Sequence, residues 1–144
     1  MANSTTLYTG SDGRISVDVT ENKSLVAADA GIVQNVITDA ITVTLPTSAA
    51  ATVGATFIVR NGGVPASSSV GMGTGADGSV LVKVAPVAAD GISGAAFTAS
   101  TNKAAQNTKA TSKVGDEIVL VGSGVTSAAA WFVQRLKGTW AREA

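Results

Sequence analysis

The chain of 144 residues contains no cysteine and no histidine, and only 14% of its residues are charged. Without cysteine, disulfides and thiolate metal sites are excluded. Without histidine, the chain lacks the usual general base at neutral pH and the commonest metal ligand. We therefore expect no catalytic residues, no metal and no cofactor. This composition favours a structural or binding protein over an enzyme.

An excess of charge of either sign is also missing, because ten basic residues balance ten acidic ones. Proteins that bind nucleic acid normally carry a basic excess or stripe, so we expect no nucleic-acid partner. The apolar runs are far shorter than the roughly 18 residues of a membrane helix, and no signal peptide is visible. A surface with few charges and no net charge tends to associate. Either identical copies or a larger assembly cover it, or alanine and valine simply enrich an ordinary core.

Small and β-branched residues take the place of the missing types, and Ala, Gly, Ser and Thr make up half of the chain. Strict alternation of apolar and polar residues over Ile15–Val19 and Ile41–Leu45 predicts strands with one buried face. Short apolar runs that end in turn residues predict further strands over Thr56–Arg60, Val80–Val84, Glu117–Val121 and Trp131–Leu136, with Asn35–Thr38 as a shorter candidate.

Helix signals are poor, and the alanine-rich stretch Ser48–Gly54 predicts one turn at most. Seven or eight short strands predict an all-β single domain of β-sandwich or jelly-roll-like type. No internal repeat of fixed period is present, which argues against a solenoid.

Three segments are predicted to lack regular secondary structure. Residues 1–12 are polar apart from Leu7 and Tyr8, which predicts an extended N-terminal arm before a sandwich domain over residues 13–144. Val64–Ser79 and Thr98–Lys113 are predicted to be long loops. The first of these contains Gly73-Thr74-Gly75-Ala76-Asp77-Gly78, but a strand follows it where a dinucleotide site needs a helix, so a loop is favoured.

The acidic residues lie mostly in turns, as in Asp12-Gly13, Asp90-Gly91 and Gly115-Asp116. Aspartate in such places accepts hydrogen bonds from nearby backbone amides. Turn chemistry is therefore favoured over a glycosidase, which needs two carboxylates that converge on a sugar.

Aromatic residues make up only 4% of the chain. Trp131 and Phe132 are adjacent on a predicted strand, so they point to opposite faces. One is expected in the core, and the other faces a second sheet, a neighbouring subunit or solvent. Trp140 lies close to the last residue and is expected to dock. The candidate contact residues for a partner or a second subunit are Leu7, Tyr8, Trp131, Phe132 and Trp140.

A family resemblance rests on an ordered series of short β-type motifs between Ile41 and Trp140. They are Thr44-Leu45-Pro46, the run from Gly54 to Asn61, Asp90-Gly91-Ile92-Ser93-Gly94, Gly115-Asp116-Glu117-Ile118-Val119-Leu120, Trp131-Phe132-Val133 and Gly138-Thr139-Trp140. This order resembles small structural proteins of tailed bacteriophages, in particular capsid decoration (cement) proteins. Related β-rich modules occur in phage fibres.

The resemblance implies a structural virion protein that is made in the host cytoplasm and sits on the outer surface of the capsid. It implies an oligomer, expected to be a homotrimer, that bridges neighbouring subunits of the major capsid protein and stabilises the shell. The five contact residues would then meet the capsid or another subunit. The alternative is a tail fibre or spike module that binds host-surface carbohydrate, which the low aromatic content disfavours.

Overall fold

The computed structural model describes residues 3–63 and 80–144, and these form two β-sheets. The seven-stranded sheet contains, in spatial order, β1 (Leu7–Thr9), β2 (Ile15–Val19), β4 (Val33–Val36), β6 (Thr56–Asn61), β10 (Glu117–Gly122), β11 (Trp131–Lys137) and β8 (Ile92–Gly94). The five-stranded sheet contains β12 (Ala141–Arg142), β9 (Ala105–Asn107), β7 (Val82–Ala85), β5 (Ile41–Thr44) and β3 (Lys23–Ser24). The predicted all-β class is confirmed.

Helical structure in the described residues is limited to a 3-10 turn over Ala27–Asp29 and one α-helical turn, α1, over Ser48–Ala51. Pro46, which has no amide hydrogen to donate, follows β5 and precedes this turn. The Thr47 hydroxyl caps α1 by accepting a hydrogen bond from the Ala50 amide at 3.2 Å. The single turn predicted from the alanine-rich stretch is confirmed.

The chain passes from one sheet to the other at each step from β2 to β9, so that β2, β4 and β6 run parallel, as do β3, β5 and β7. The sequence does not predict this winding. In the seven-stranded sheet, Ser16 pairs with Val33, 17 residues later, and Val33 pairs with Ile58, 25 residues later. The number of residues between successive parallel strands of one sheet therefore varies. For this reason no fixed repeat appears in the sequence.

The hydrophobic core lies between the two sheets. β6 and β10 contribute Phe57, Val59, Ile118 and Leu120, all with no exposed surface. The Trp131 ring meets the Phe57 ring edge to face, with centroids 5.4 Å apart and planes at 77°. Valine is the commonest residue in the remaining core, which fits the β-branched composition.

The first and last described residues are held to the sheets. β1 pairs antiparallel with β2, and the Asn3 side-chain oxygen accepts hydrogen bonds from the Thr20 and Glu21 amides at 2.7 and 3.1 Å. β12 pairs with β9, and the buried Trp140 indole donates to the Lys137 carbonyl at 3.0 Å. The expected docking of Trp140 is confirmed.

Two predicted loops have different outcomes. Thr98–Lys113 contains β9, which the loop prediction misses because Ala105–Asn107 is three residues long and has no β-branched member. Val64–Ser79, with its glycine motif, lies outside the described residues.

Candidate functional site

The face of the seven-stranded sheet that points away from the core is called the outer face. Val59 and Ile118 belong to the core, so their strand neighbours Arg60 and Glu117 point outward. The register sets a polar row across five strands of this face, formed by Asp18, Asn35, Arg60, Glu117 and Lys137. Charged side chains of both signs are therefore gathered at one level of the sheet.

Glu117 lies between Arg60 and Lys137 in this row and forms ion pairs with two arginines outside the row. Its side chain is only 7% exposed, and each of its oxygens accepts a hydrogen bond from a different arginine. Arg14 contacts Oε2 at 3.0 Å, and Arg135 contacts Oε1 at 2.5 Å. Such charge-assisted pairs are stronger than neutral hydrogen bonds, so Glu117 fixes the positions of both guanidinium groups.

A β-bulge places Arg135 on the outer face. Val119 pairs with Arg135, but the next residue, Leu120, pairs with Val133, so Gln134 is an extra residue in β11. In a regular strand Trp131, Val133 and Arg135 would share the inner face. The bulge reverses the alternation after Val133, which turns Arg135 toward Glu117 and Leu136 back toward the core.

Arg14 is positioned by the turn that leads into β2. The Gly10 amide donates to the Arg14 carbonyl at 2.8 Å, and the Arg14 amide donates to Asp12 Oδ1 at 3.0 Å. Gly13 has a φ of 82°, a conformation that glycine adopts without a steric penalty. The predicted turn role of Asp12 is confirmed, and this turn presents Arg14 to Glu117.

Arg60 lies beside Glu117 and is half-buried. Its Nε is buried and has no hydrogen-bond partner in the described part of the chain. Burial lowers the pKa of the Arg60 guanidinium, and the charge of Glu117 partly offsets this effect. Since an arginine stays protonated in proteins, Arg60 contributes a partly desolvated positive charge to the row.

Two adjoining recesses open on the outer face. The arginine recess has a volume of about 650 Å³ and is lined by Arg14, Arg60, Gly115, Glu117, Arg135, Leu136, Lys137 and Gly138. The apolar recess has a volume of about 390 Å³ and is lined by Thr56, Ile58, Val119 and Gln134, together with Arg14 and Arg135. Because the two arginines belong to both linings, the recesses form one continuous surface.

Phe132 extends this surface toward the β8 edge. It pairs with Val121 on one side and Ser93 on the other, and 55% of its surface is exposed. A side-chain carbon added at Gly94 would lie 3.3 Å from the Phe132 ring, so the ring lies close over this glycine. The outer face thus carries a large exposed aromatic side chain near the two recesses.

The predicted contact residues divide into two groups. Leu7 is 54% exposed on the edge strand β1, and its neighbour Tyr8 is partly exposed. Trp131 and Trp140 are 0% and 4% exposed, so both side chains belong to the core of this chain and offer no surface to a partner. Of the predicted contacts, Leu7, Tyr8 and Phe132 stay accessible.

Three further aspartates, Asp39, Asp90 and Asp116, accept hydrogen bonds from backbone amides. Asp90 accepts from the Ser48 amide at 2.8 Å, and Asp116 accepts from the Lys113 amide at 2.9 Å. Asp39 accepts from the amides of Ala40 and Leu81. The turn role predicted for Asp116 is confirmed, because Lys113 lies three residues away. Asp90 differs from the prediction, because its partner Ser48 is 42 residues away and belongs to another segment. Over residues 3–63 and 80–144, no group of three or more acidic residues is placed to hold a metal ion.

The arginine recess was not among the predicted sites, although one sequence signal points to it. The apolar positions of the last long strand are Trp131, Val133 and Leu136, so the period of two breaks between Val133 and Leu136. Two consecutive polar residues at that break indicate a bulge that turns one of them outward. The partners Arg14, Arg60 and Glu117 have no such signal, because their proximity depends on the pairing of distant strands.

No protein-family model matches the chain, and no curated protein matches it significantly. In the described residues, neither helical segment has the length to cross a membrane.

Proposed function

We propose that this chain is a non-enzymatic structural protein that binds the outer surface of a tailed-bacteriophage capsid. It assembles as a homotrimer and bridges neighbouring subunits of the major capsid protein, which stabilises the shell. The observation that carries the proposal is the outer face, where the exposed Phe132 lies near an arginine recess and an apolar recess. The motif resemblance between Ile41 and Trp140 supplies the identity of the partner.

The composition of the outer face suits protein binding. Aromatic residues and arginine are enriched at protein interfaces and dominate their energetics, whereas most other contacts mainly exclude water. Phe132 provides the aromatic anchor, and Arg14 and Arg135 provide fixed, directional donors next to it. Since Glu117 holds both arginines in place before binding, little side-chain entropy is lost on docking.

A pair of exposed valines, Val53 and Val125, supports self-association. Val53 is 78% exposed and Val125 is 58% exposed. The two loops touch, because a side-chain carbon added at Gly124 would lie 3.0 Å from the Val53 Cβ. We assign this pair to the contact between copies. A trimer that binds several capsid sites at once gains affinity from its high effective concentration, without any new contact.

Co-sedimentation with capsids tests this function directly. Purified protein is mixed with DNA-filled heads that lack it, and the bound fraction is measured after centrifugation. The wild type is expected to sediment with the heads, and Phe132→Ala is expected to bind at least about tenfold more weakly, as for an interface anchor. Val26→Ala is the matched control, since Val26 is 58% exposed but lies outside the outer face.

Failure of the wild type to bind heads would contradict the capsid function. Binding to host-surface glycans in place of heads would support the fibre or spike module. Equal binding of the wild type and Phe132→Ala would show that Phe132 is not the anchor.

A further inference from the structure

We propose that the arginine recess is a binding site for a carboxylate side chain of a protein segment, whose neighbouring apolar side chain occupies the apolar recess. The site and its ligand chemistry go beyond the proposed function, and they do not depend on whether the partner is a capsid protein. The inference rests on the charges, the donors and the shape of the outer face.

The lining of the arginine recess carries more positive than negative charge. Arg14, Arg60, Arg135 and Lys137 face one carboxylate, that of Glu117. Glu117 accepts from only one nitrogen of Arg14 and one nitrogen of Arg135. A guanidinium has five N–H donors in a planar fork, so both arginines keep donors for a second carboxylate.

Arg60 adds a positive charge and a buried donor that has no hydrogen-bond partner among the described residues. It lines the recess, it is half-buried, and its Nε has no partner among the described residues. A buried charge is tolerated when it is paired, and an incompletely paired one favours the binding of an opposite charge. A carboxylate in the recess would lie between Arg60 and the two arginines that Glu117 holds.

The neighbourhood favours a carboxylate on a protein segment over a nucleic-acid backbone. A chain of phosphates would bring several negative charges toward Glu117, Asp12 and Asp18, which all act electrostatically on Arg60, whereas one carboxylate brings a single charge. The adjoining recess has Ile58 and Val119 in its lining, together with Thr56, Gln134 and the two arginines. Such a surface suits an apolar side chain one or two residues from the carboxylate.

Peptide titration followed by NMR tests the site on the intact protein. The probes are acetyl-Leu-Glu-Leu-amide and acetyl-Leu-Gln-Leu-amide, which differ only in the carboxylate. The reporters are the backbone amides of Gly115 and Gly138, which line the recess. The glutamate peptide is expected to shift both signals, and the glutamine peptide is expected to bind at least about tenfold more weakly, since a charge-assisted hydrogen bond is lost.

Variants separate this site from general attraction of anions. Arg60→Gln and the more exposed Arg135→Gln are expected to lose most of the response to the glutamate peptide. Arg142→Gln is the matched control, because Arg142 is exposed, donates to the Thr98 carbonyl at 3.2 Å and lies on the other sheet. Its response is expected to equal that of the wild type. Arg135→Gln keeps the test valid if Arg60→Gln does not fold.

Three results would overturn the inference. The first is an equal response to the two peptides. The second is an unchanged response in a folded Arg135→Gln variant. The third is a response to inorganic phosphate but not to the glutamate peptide, which would indicate an anion site of another class.

Discussion

At the residue scale, Trp131 and Phe132 are neighbours on β11 with opposite environments, 0% and 55% exposed. Trp131→Ala removes the ring that packs against Phe57 and leaves a cavity, so the free energy of unfolding is expected to fall by about 3–5 kcal/mol. Phe132→Ala removes mostly solvated surface and is expected to change it by less than about 1 kcal/mol. Denaturant unfolding of both variants measures the difference, and equal losses would contradict the assigned faces.

Asn107 is the centre of a buried polar network that joins both sheets. Its amide nitrogen donates to Asp116 Oδ2 and to the Thr139 carbonyl, both at 2.9 Å, and its oxygen accepts from Asn61 at 2.7 Å. Asn107→Leu is expected to cost about 2–4 kcal/mol, because several buried polar groups lose a partner. Gln106→Leu on the same strand is the control and is expected to cost little. Equal stability of the two variants would show that the network adds nothing.

Asp39 and Glu143 make the free energy of unfolding depend on pH in the acidic range. The Leu81 amide and Lys109 hold the pKa of Asp39 below its usual range, and the Ala104 amide and nearby lysines do the same for Glu143. Because both groups bind protons less readily in the folded state, their stabilisation is complete above the ordinary carboxylate pKa and is lost as pH falls through the lowered values. Their substitution by Asn and Gln is expected to flatten the fall of unfolding free energy between about pH 5 and pH 3. An unchanged slope would contradict this assignment.

At the element scale, the bulge in β11 can be removed without moving the core residues to the wrong face. Deletion of Gln134 leaves Val133, Arg135 and Leu136 in regular alternation, with Arg135 still outward, so we expect a folded protein with a loss below about 2 kcal/mol. Deletion of Phe132 would put Trp131 and Val133 on opposite faces and is expected to prevent folding. Circular dichroism and thermal unfolding distinguish the two. Unfolding of both deletions would contradict the assigned bulge.

The strands that could be predicted are those whose sequences alternate or form a short apolar run that ends in turn residues. Ile41–Leu45 was predicted from period two and forms β5, and the run from Trp131 forms β11. The short strand Ala105–Asn107 has no such pattern, and its place depends on pairing with β7 and β12. The arginine recess was missed for the same reason, since Arg14 and Glu117 are separated by 103 residues and meet only through the winding of the chain.

At the scale of the whole molecule, the sheet edges offer little to a partner. Over residues 3–63 and 80–144, the four edge strands are Leu7–Thr9, Ile92–Gly94, Lys23–Ser24 and Ala141–Arg142, each of two or three residues. Short edge strands limit the backbone pairing by which other chains extend a sheet. Attachment through the outer face, with its recesses and Phe132, is therefore favoured over addition of a strand at an edge.

The capsid function is tested most directly by the copy number of this chain in purified phage particles. Quantitative mass spectrometry gives its molar ratio to the major capsid protein. Hundreds of copies in a fixed ratio are expected for a protein that bridges capsid subunits over the whole shell. A few copies, as for a fibre, or complete absence from the particle would contradict the proposed function.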